Sequence, residues 1–509
     1  MNLRRAAVIG LLAGAFDVAA GELCASVLQW AGVKGTGSPL LAVGSAFVDR
    51  TPPWLKDFAT STFGTADKAV LLVGIGIVLA VLSAGIGIVA SRRRPLGLLA
   101  VVALGAVAAL AALTRVGSGA MDVLPALLGA VAGMAALVTL LDRAAEPDTP
   151  SYKGFDRRAF LRGSVVTGTL ALLGGGAAYW LGKGQRSVEA SAAAVRLPVP
   201  SSAAPAIPAA AELHLKGLTP YITANDLFYR IDTALVVPRL TTHEWKLRIH
   251  GMVQNEVHLT WDQLLALPMV ERIVTLSCVS NDVGGGLISN ARWLGHPLKD
   301  LLAQAVPSSD ADMVLSKSID GFTAGSPLAA LTDGRDAMLA IGMNSKVLPQ
   351  EHGFPARLVV PGLYGYVSAT KWVVDLEVTR FDRAQGYWTP RGWSAMGPIK
   401  TESRIDVPNP GANLRVGPTV VAGVAWAVHR GIDKVEVRVD EGEWGTARLA
   451  ADASSDTWRQ WVYEWQATPG RHRLQVRATD GDGAVQTSVV APPPPSGATG
   501  WHTIEVTVH

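Results

Sequence analysis

The chain has 509 residues, enough for three or four domains at roughly 150 residues each. It is 49% apolar, carries a net charge of +3 and has only 17% charged residues, where about 25% is usual. Those figures exclude intrinsic disorder and a strongly basic nucleic-acid binder, and a mean hydropathy of +0.27 argues against one uniform soluble body. Two cysteines, Cys24 and Cys278, exclude a disulfide scaffold and a multi-cysteine zinc or iron–sulfur site.

The charges are unevenly spread: residues 1–182 carry 25 of the 87 Asp, Glu, Lys and Arg. Four runs of 19 to 22 residues, Ala69–Ala90, Pro95–Thr114, Val123–Leu141 and Gly163–Gly182, contain no charge. A helix of about 20 apolar residues crosses a bilayer. A further apolar stretch near residues 6–31 is interrupted by Asp17 and Glu22. The sequence therefore predicts five transmembrane helices, at about 6–31, 69–90, 95–114, 120–141 and 163–182. Arg4 and Arg5, then Arg92 to Arg94, then Arg143, Lys153, Arg157, Arg158 and Arg162 all fall on one side of such a model. The positive-inside rule makes that side cytoplasmic and places residues 183–509 on the outer, periplasmic or extracellular face of a bacterial membrane. Asp17 and Glu22 are expensive in lipid and are predicted to form a polar seam between helices rather than a proton path.

The segment Asp156-Arg157-Arg158-Ala159-Phe160-Leu161-Arg162 before the fifth apolar run resembles a twin-arginine export signal. No small-residue cleavage site follows directly, so the run is expected to stay as an anchor. Residues 183–211, rich in Ala, Ser and Pro, read as a semi-extended linker. Residues 212–400 mix strands with short helices and read as an α+β domain. After a break marked by Pro408, Pro410 and Pro418, residues 401–509 alternate apolar and polar in short runs such as Lys434–Asp440 and Arg473–Thr479. They predict an all-β, immunoglobulin-like sandwich. All ten histidines lie at His214 or later, and no Cys-x-x-Cys-His occurs. No haem is therefore expected in this chain, and electrons must pass to a separate partner.

The segment Glu271–Asn281, ERIVTLSCVSN, reads as an alternating strand that ends at Cys278 and breaks into Asn281-Asp282-Val283-Gly284-Gly285-Gly286. A cysteine at a strand end can present its thiolate to a soft or high-valent metal, although a single cysteine is more often a small buried hydrophobe. The surrounding motifs decide between these. Asn225-Asp226-Leu227-Phe228-Tyr229-Arg230 precedes it. Gly321-Phe322-Thr323, Glu351-His352-Gly353-Phe354-Pro355-Ala356-Arg357, Pro361-Gly362 and Lys371-Trp372 follow. In this order they resemble the molybdenum domain of the sulfite oxidase family of molybdopterin enzymes, over roughly residues 212–400. Residues 401–509, with Ala425-Trp426 and Glu441-Gly442-Glu443-Trp444, resemble that family's C-terminal dimerisation domain.

The resemblance implies a molybdenum–molybdopterin cofactor with Cys278 as the protein's single metal ligand. It implies that His352, Arg357 and Lys371 hold the pterin and its phosphate, that Asn225, Phe228, Tyr229, Ser280 and Asn281 shape the cofactor site, and that Arg230 faces an anionic substrate. Without it, Arg357 and Lys371 would read as ordinary surface charges. The sequence also departs from the animal enzymes. Val283 stands where they have a second active-site arginine. Trp393, five residues after Trp388, stands where they have a tyrosine. Arg430 is the nearest match to a third anion-binding arginine, and Arg292 and Arg391 are possible substitutes. The reading implied is a membrane-anchored molybdopterin oxidoreductase that transfers oxygen atoms, sulfite-oxidase-like, exchanging electrons with a separate cytochrome, quinone or copper protein. Reduction of methionine sulfoxide or another S- or N-oxide is the rival direction, and a non-enzymatic binding module is a rival class. A homodimer through the C-terminal domain is also implied.

Overall fold

The computed structural model describes residues 1–31, 37–51, 67–115, 118–144 and 185–509, with the isolated positions 55 and 169. The twin-arginine-like segment and, apart from position 169, the predicted fifth span at 163–182 lie outside the described residues. The chain divides into two compact units: Met1–Ser187 with Ala234–Val236, and Val188–Thr233 with Val237–His509.

Among the described residues of the first unit, four helices are long and apolar enough to cross a membrane. They are α1 (Leu3–Trp30), α3 (Asp67–Arg92), α4 (Arg94–Leu113) and α5 (Leu124–Ala144), with a shorter α2 (Pro39–Arg50) between the first two. Four of the five predicted spans thus coincide with helices. The twelve-residue α2 was not predicted, and it is too short to cross a bilayer alone. Small residues bring these helices together. A Cβ on Gly87 of α3 would lie 2.1 Å from the Ala6 carbonyl oxygen of α1. A Cβ on Gly129 of α5 would lie 2.6 Å from Asp17 Oδ1. Asp17 therefore packs against α5. Glu22 accepts hydrogen bonds from Ser38 Oγ at 2.6 Å and from Leu40 N at 3.3 Å, at the start of α2. Both carboxylates thus face neighbouring helices.

Helix α6 (Gln185–Ala194) leads into the second unit, where a semi-extended linker was predicted. Alanine has the highest helix propensity, and four alanines in ten residues favour the helix. Val188 and Val195 are buried in the unit's main core, and Ser202 bridges Val270, so this stretch packs onto the domain rather than spacing it. Ten strands follow: β1 (Lys246–Gly251), β2 (Val257–Thr260), β3 (Val270–Ser277), β4 (Ile288–Pro297), β5 (Met313–Ser318), β6 (Thr323–Pro327), β7 (Met338–Met343), β8 (Lys346–Val347), β9 (Arg357–Val359) and β10 (Val373–Thr379). They form two sheets, in the orders β2-β1-β10-β5-β6 and β3-β4-β7-β8, with β9 on β7.

Residues 402–508 form two further sheets. One runs β11 (Glu402–Val407), β13 (Gly417–Trp426), β17 (Arg459–Ala467), β16 (Arg448–Leu449). The other runs β12 (Asn413–Leu414), β19 (His502–Val508), β18 (Gly470–Asp480), β14 (Ile432–Val439), β15 (Gly445–Thr446). Val421, Trp461, Val435, Leu474 and Val506, drawn from both sheets, share one apolar core. The boundary predicted at residue 400 separates sheets without separating packing. Trp426, Val428 and Trp458 belong to the same core as Trp245, Leu339 and Phe354. The Trp458 backbone N–H donates to Thr275 Oγ1 at 2.8 Å, so the C-terminal sheets brace β3 directly.

Candidate active site

Strand β3 positions the central cysteine. Its last five residues are buried, and Cys278 follows immediately, itself buried. The Cys278 backbone N–H donates to the Leu287 carbonyl at 2.9 Å. The Asn281 side-chain oxygen accepts from Leu287 N at 2.7 Å, closing the loop behind the cysteine. Two contacts from the C-terminal sheets hold that loop. Arg404 Nη1 donates to the Gly285 carbonyl at 2.7 Å. The His502 ring lies so close to Gly284 that a Cβ there would meet it at 2.2 Å. Gly284 also has φ of +76°, so glycine is required on two counts. Burial pushes the Cys278 thiol up, while the Ser280 and Val279 N–H groups and the Ser280 hydroxyl pull it down. A buried sulfur with donors aimed at it is prepared to carry negative charge once a cation compensates the burial.

Cys278 opens onto a cavity of about 130 Å³. Its cationic wall comes from the segment that ends in β9 and from the approach to β10. Gly353, at φ +114°, lets the chain turn where a Cβ would lie 3.0 Å from Arg357 Cβ and 3.1 Å from Lys371 Cβ. His352, Arg357 and Lys371 are thereby gathered at the cavity and are all buried. The Arg357 guanidinium donates to the carbonyls of His352, Ala369 and Leu358, at 3.1, 3.4 and 3.3 Å, and lies 5.0 Å over the Trp293 ring. Among the described residues no carboxylate pairs with it. Burial lowers its pKa to about 10. A buried guanidinium satisfied only by carbonyls leaves its charge uncompensated, a strong attractor for an anion placed in the cavity. Burial, and then the charges of Arg357 and Lys371, lower His352 to about 4, against the hydrogen bond to Asn225. It is neutral near pH 7, and its Nε2–H donates to the Asn225 carbonyl at 2.8 Å.

Aromatic side chains complete the lining. Phe228 stacks on Tyr229 at 5.4 Å and meets His352 edge-on at 5.5 Å. Trp388 and Trp393 cross at 6.2 Å, and Tyr366 lies 5.9 Å from Trp393 with its hydroxyl donating to the Ser394 carbonyl.

Of the residues anticipated from sequence, the cavity brings together Phe228, Tyr229, Cys278, Ser280, His352, Arg357, Lys371 and Trp393. Four do not line it. Asn225 supports from behind, accepting from Asn344 and His352. Asn281 closes the cysteine loop. Arg230 is about a third exposed and pairs with Asp232 at 2.9 Å. Arg430 pairs with Asp480 at 3.0 Å and donates to Thr401 and the Ile399 carbonyl, lining a different recess; its charge is compensated within the C-terminal sheets. The suggested substitutes are also engaged elsewhere: Arg292 pairs with Glu271, and Arg391 lies over the Tyr387 ring. Sequence reasoning missed Asp232 and Tyr366 as cavity residues. The alternation of charge in Arg230-Ile231-Asp232 was the available signal for the first.

A buried thiol with N–H donors aimed at it and a buried guanidinium that no carboxylate compensates line one cavity, which suits an anionic ligand. Residues 234–388 match the family model described as the oxidoreductase molybdopterin-binding domain, and the chain is similar to sulfite oxidases of the molybdopterin-dependent oxidoreductases. It is 30% identical to mitochondrial sulfite oxidase of Mus musculus over 322 residues, covering 53% of this chain and 58% of that one. It is 29% identical to an uncharacterised oxidoreductase, YuiH, of Bacillus subtilis over 154 residues, covering 30% and 74% respectively. The chain thus spans a little over half the length of the mouse enzyme. Among solved structures, the sulfane dehydrogenase SoxCD of Paracoccus pantotrophus superposes with a TM-score of 0.50 over 56% of this chain and 81% of that one, at 24% identity, and so shares its fold.

The residues present fit the family's cofactor. Cys278 offers one sulfur, Arg357 an uncompensated charge suited to phosphate, and Lys371 a point charge beside it.

Proposed function

We propose that this chain is a molybdenum–molybdopterin oxidoreductase that transfers oxygen atoms in the manner of sulfite oxidases, anchored in a bacterial cytoplasmic membrane with its catalytic unit on the outer face. The observation that carries the reading is the pairing, at one cavity, of buried Cys278 with Arg357, whose guanidinium meets only carbonyl oxygens. The cofactor, when bound, supplies two-electron oxygen-atom exchange with substrate and water. The chain supplies the surroundings. Cys278 gives its thiolate to the metal, and the Val279 and Ser280 donors hold that sulfur's charge. Arg357 and Lys371 hold phosphate, and neutral His352 fixes the 225–229 segment through its Nε2–H. The Trp388–Trp393 wall excludes water and rests against the non-reacting part of the substrate.

Four helices of spanning length and hydropathy support the membrane anchor, and the basic clusters beside them support the orientation. The twin-arginine-like segment is read as the export signal. Electrons pass singly to a separate redox partner. The two-sheet C-terminal part is read as an immunoglobulin-like module that both braces the cysteine loop and supports a homodimer.

The test is Cys278→Ser in the full chain, purified after export from a host that makes the cofactor. Activity with sulfite and an artificial acceptor, and with a sulfoxide and reduced viologen, is expected to fall by more than about 100-fold, beyond what losing a supporting contact around a metal produces. The circular dichroism and melting profile should be retained. Undiminished turnover in a folded variant overturns the reading.

A further inference from the structure

A buried carboxyl lies behind the cysteine loop, outside the cavity. Glu402, the first residue of β11, is 5% exposed. Among the described residues no cation pairs with it. Lys400 attracts it, but Lys400 Nζ donates to the Gly497 carbonyl at 2.5 Å instead. Glu402 Oε1 has no hydrogen-bond partner. A buried carboxylate without a bonded countercharge is costly, so this carboxyl keeps its proton near neutrality. Burial accordingly pushes it up to about 8, against the pull of Lys400 and Asn281.

Two buried donors stand idle beside it. The Asn281 amide is close enough to pull the carboxyl down, yet Asn281 Nδ2 makes no formed hydrogen bond. Trp426 lies directly opposite Glu402 in the β11–β13 register, on the same face, and its Nε1–H is also unpartnered. An ionised Glu402 can accept from such donors, and a protonated one leaves them free, so neither state is shut out.

Asn281 ties this carboxyl to the cysteine. Its backbone N–H donates to the Cys278 carbonyl at 3.1 Å, and its Oδ1 accepts from Leu287 N, whose own carbonyl accepts from Cys278 N. Tyr364 is a second link. Its hydroxyl accepts from Lys400 N at 3.4 Å, both Glu402 and Cys278 add to the burial that raises its pKa, and Gly365, next in the chain, lines the cavity. The other charged groups around β11 are engaged with one another: Arg430 with Asp480, and Arg404 with Asp406. His502 accepts from Ile405 N through Nδ1, and burial lowers it to about 4, so it is neutral at pH 7.

We propose that Glu402 is a proton-holding positioning residue of the cofactor site: through Asn281 and the loop that Asn281 closes, it responds to the charge carried at Cys278. When one electron from a one-electron donor reaches the metal, the added negative charge favours the neutral carboxyl. One proton from solvent then forms the O–H bond on Glu402, and re-oxidation returns it to solvent. No other bond changes, and Glu402 does not touch the reacting atoms. The proposal rests on the oxygen-transfer reading above.

The experiment uses the full chain loaded with molybdenum, as wild type and as Glu402→Gln, which keeps the size of the side chain and removes its proton. Infrared difference spectra between oxidised and dithionite-reduced protein are recorded at pH values on both sides of about 8. Wild type is expected to gain the C=O absorption of a carboxylic acid on reduction, and Glu402→Gln to lack it. The midpoint potential of the metal, followed by paramagnetic resonance, is the second readout. Around that pH it is expected to fall more steeply in wild type than in Glu402→Gln, by up to one proton per electron, and to run parallel elsewhere. The wild-type spectra need no variant to fold. Molybdenum-loaded wild type that gains no acid absorption at any of these pH values overturns this proposal alone, as do parallel potential profiles in the loaded variant. Folded, exported chain without molybdenum overturns the oxygen-transfer reading, and this proposal with it.

Discussion

The two units of the chain sort their side chains in opposite ways. In the helical unit the packed faces are built of small residues: Gly129, Ala130 and Gly133 of α5, and Gly97 and Gly105 of α4, are buried. A few large aliphatic side chains, Ile9, Leu137 and Leu140, join that packing, while many others point outward, with Val73 63% and Val81 66% exposed. In the second unit the largest side chains are the deepest, and Trp245, Trp293, Trp372 and Trp461 are almost fully buried. Water drives large apolar groups inward. Lipid gives no such drive, so helices meet through small residues that allow close approach. The contrast is the one expected if the first unit is the membrane anchor proposed above.

That comparison can be broken at its strongest point first. Trp293→Ala empties a fully buried site beneath Arg357 and is expected to cost about 3–5 kcal/mol, measured as the loss of denaturation midpoint of the second unit. A cost below about 1 kcal/mol contradicts water-driven packing there. Next, Val81→Arg places a charge on the outward face of α3. It is expected to cost about 2.5–3.5 kcal/mol of insertion at a span centre and to reduce the membrane-integrated fraction on fractionation. Unaltered integration contradicts a lipid-facing surface. The smallest effect concerns a buried carboxyl. Burial pushes Glu402 up to about 8, against the pull of Lys400 and Asn281. Its folded pKa lies above its unfolded value, so its stabilising contribution is complete below about 4.5 and is lost as the pH rises through 8. Glu402→Gln should flatten the fall in melting temperature between those values, and parallel profiles for the two proteins reject the assignment.

The long apolar runs made the helices of the first unit legible, because period and length suffice for a span. The sheets of residues 246–508 were legible as classes of structure but not as partners. The pairing of Thr275 with Trp458 joins residues 183 apart, and no local pattern encodes it. Cys278, His352, Arg357 and Lys371 could be named because short ordered motifs surround them. Arg430 misled for the opposite reason. A lone arginine says nothing of its counter-ion, and Asp480 lies fifty positions away. Asp232 was hidden in the same way, since the meaning of its charge comes from Lys371, brought to it by the turn at Gly353. The helix at Gln185–Ala194 was masked by an Ala- and Ser-rich composition common to linkers and helices alike.

The central claim is that Cys278 and Arg357 serve a molybdenum–pterin group. The most direct measurement is the molybdenum and pterin content of the full chain, purified after correct export from a cofactor-producing host. Near-stoichiometric molybdenum, with an equal amount of pterin, is the result expected. Molybdenum close to zero in correctly exported, folded protein contradicts it and leaves the cavity as a binding module without redox chemistry.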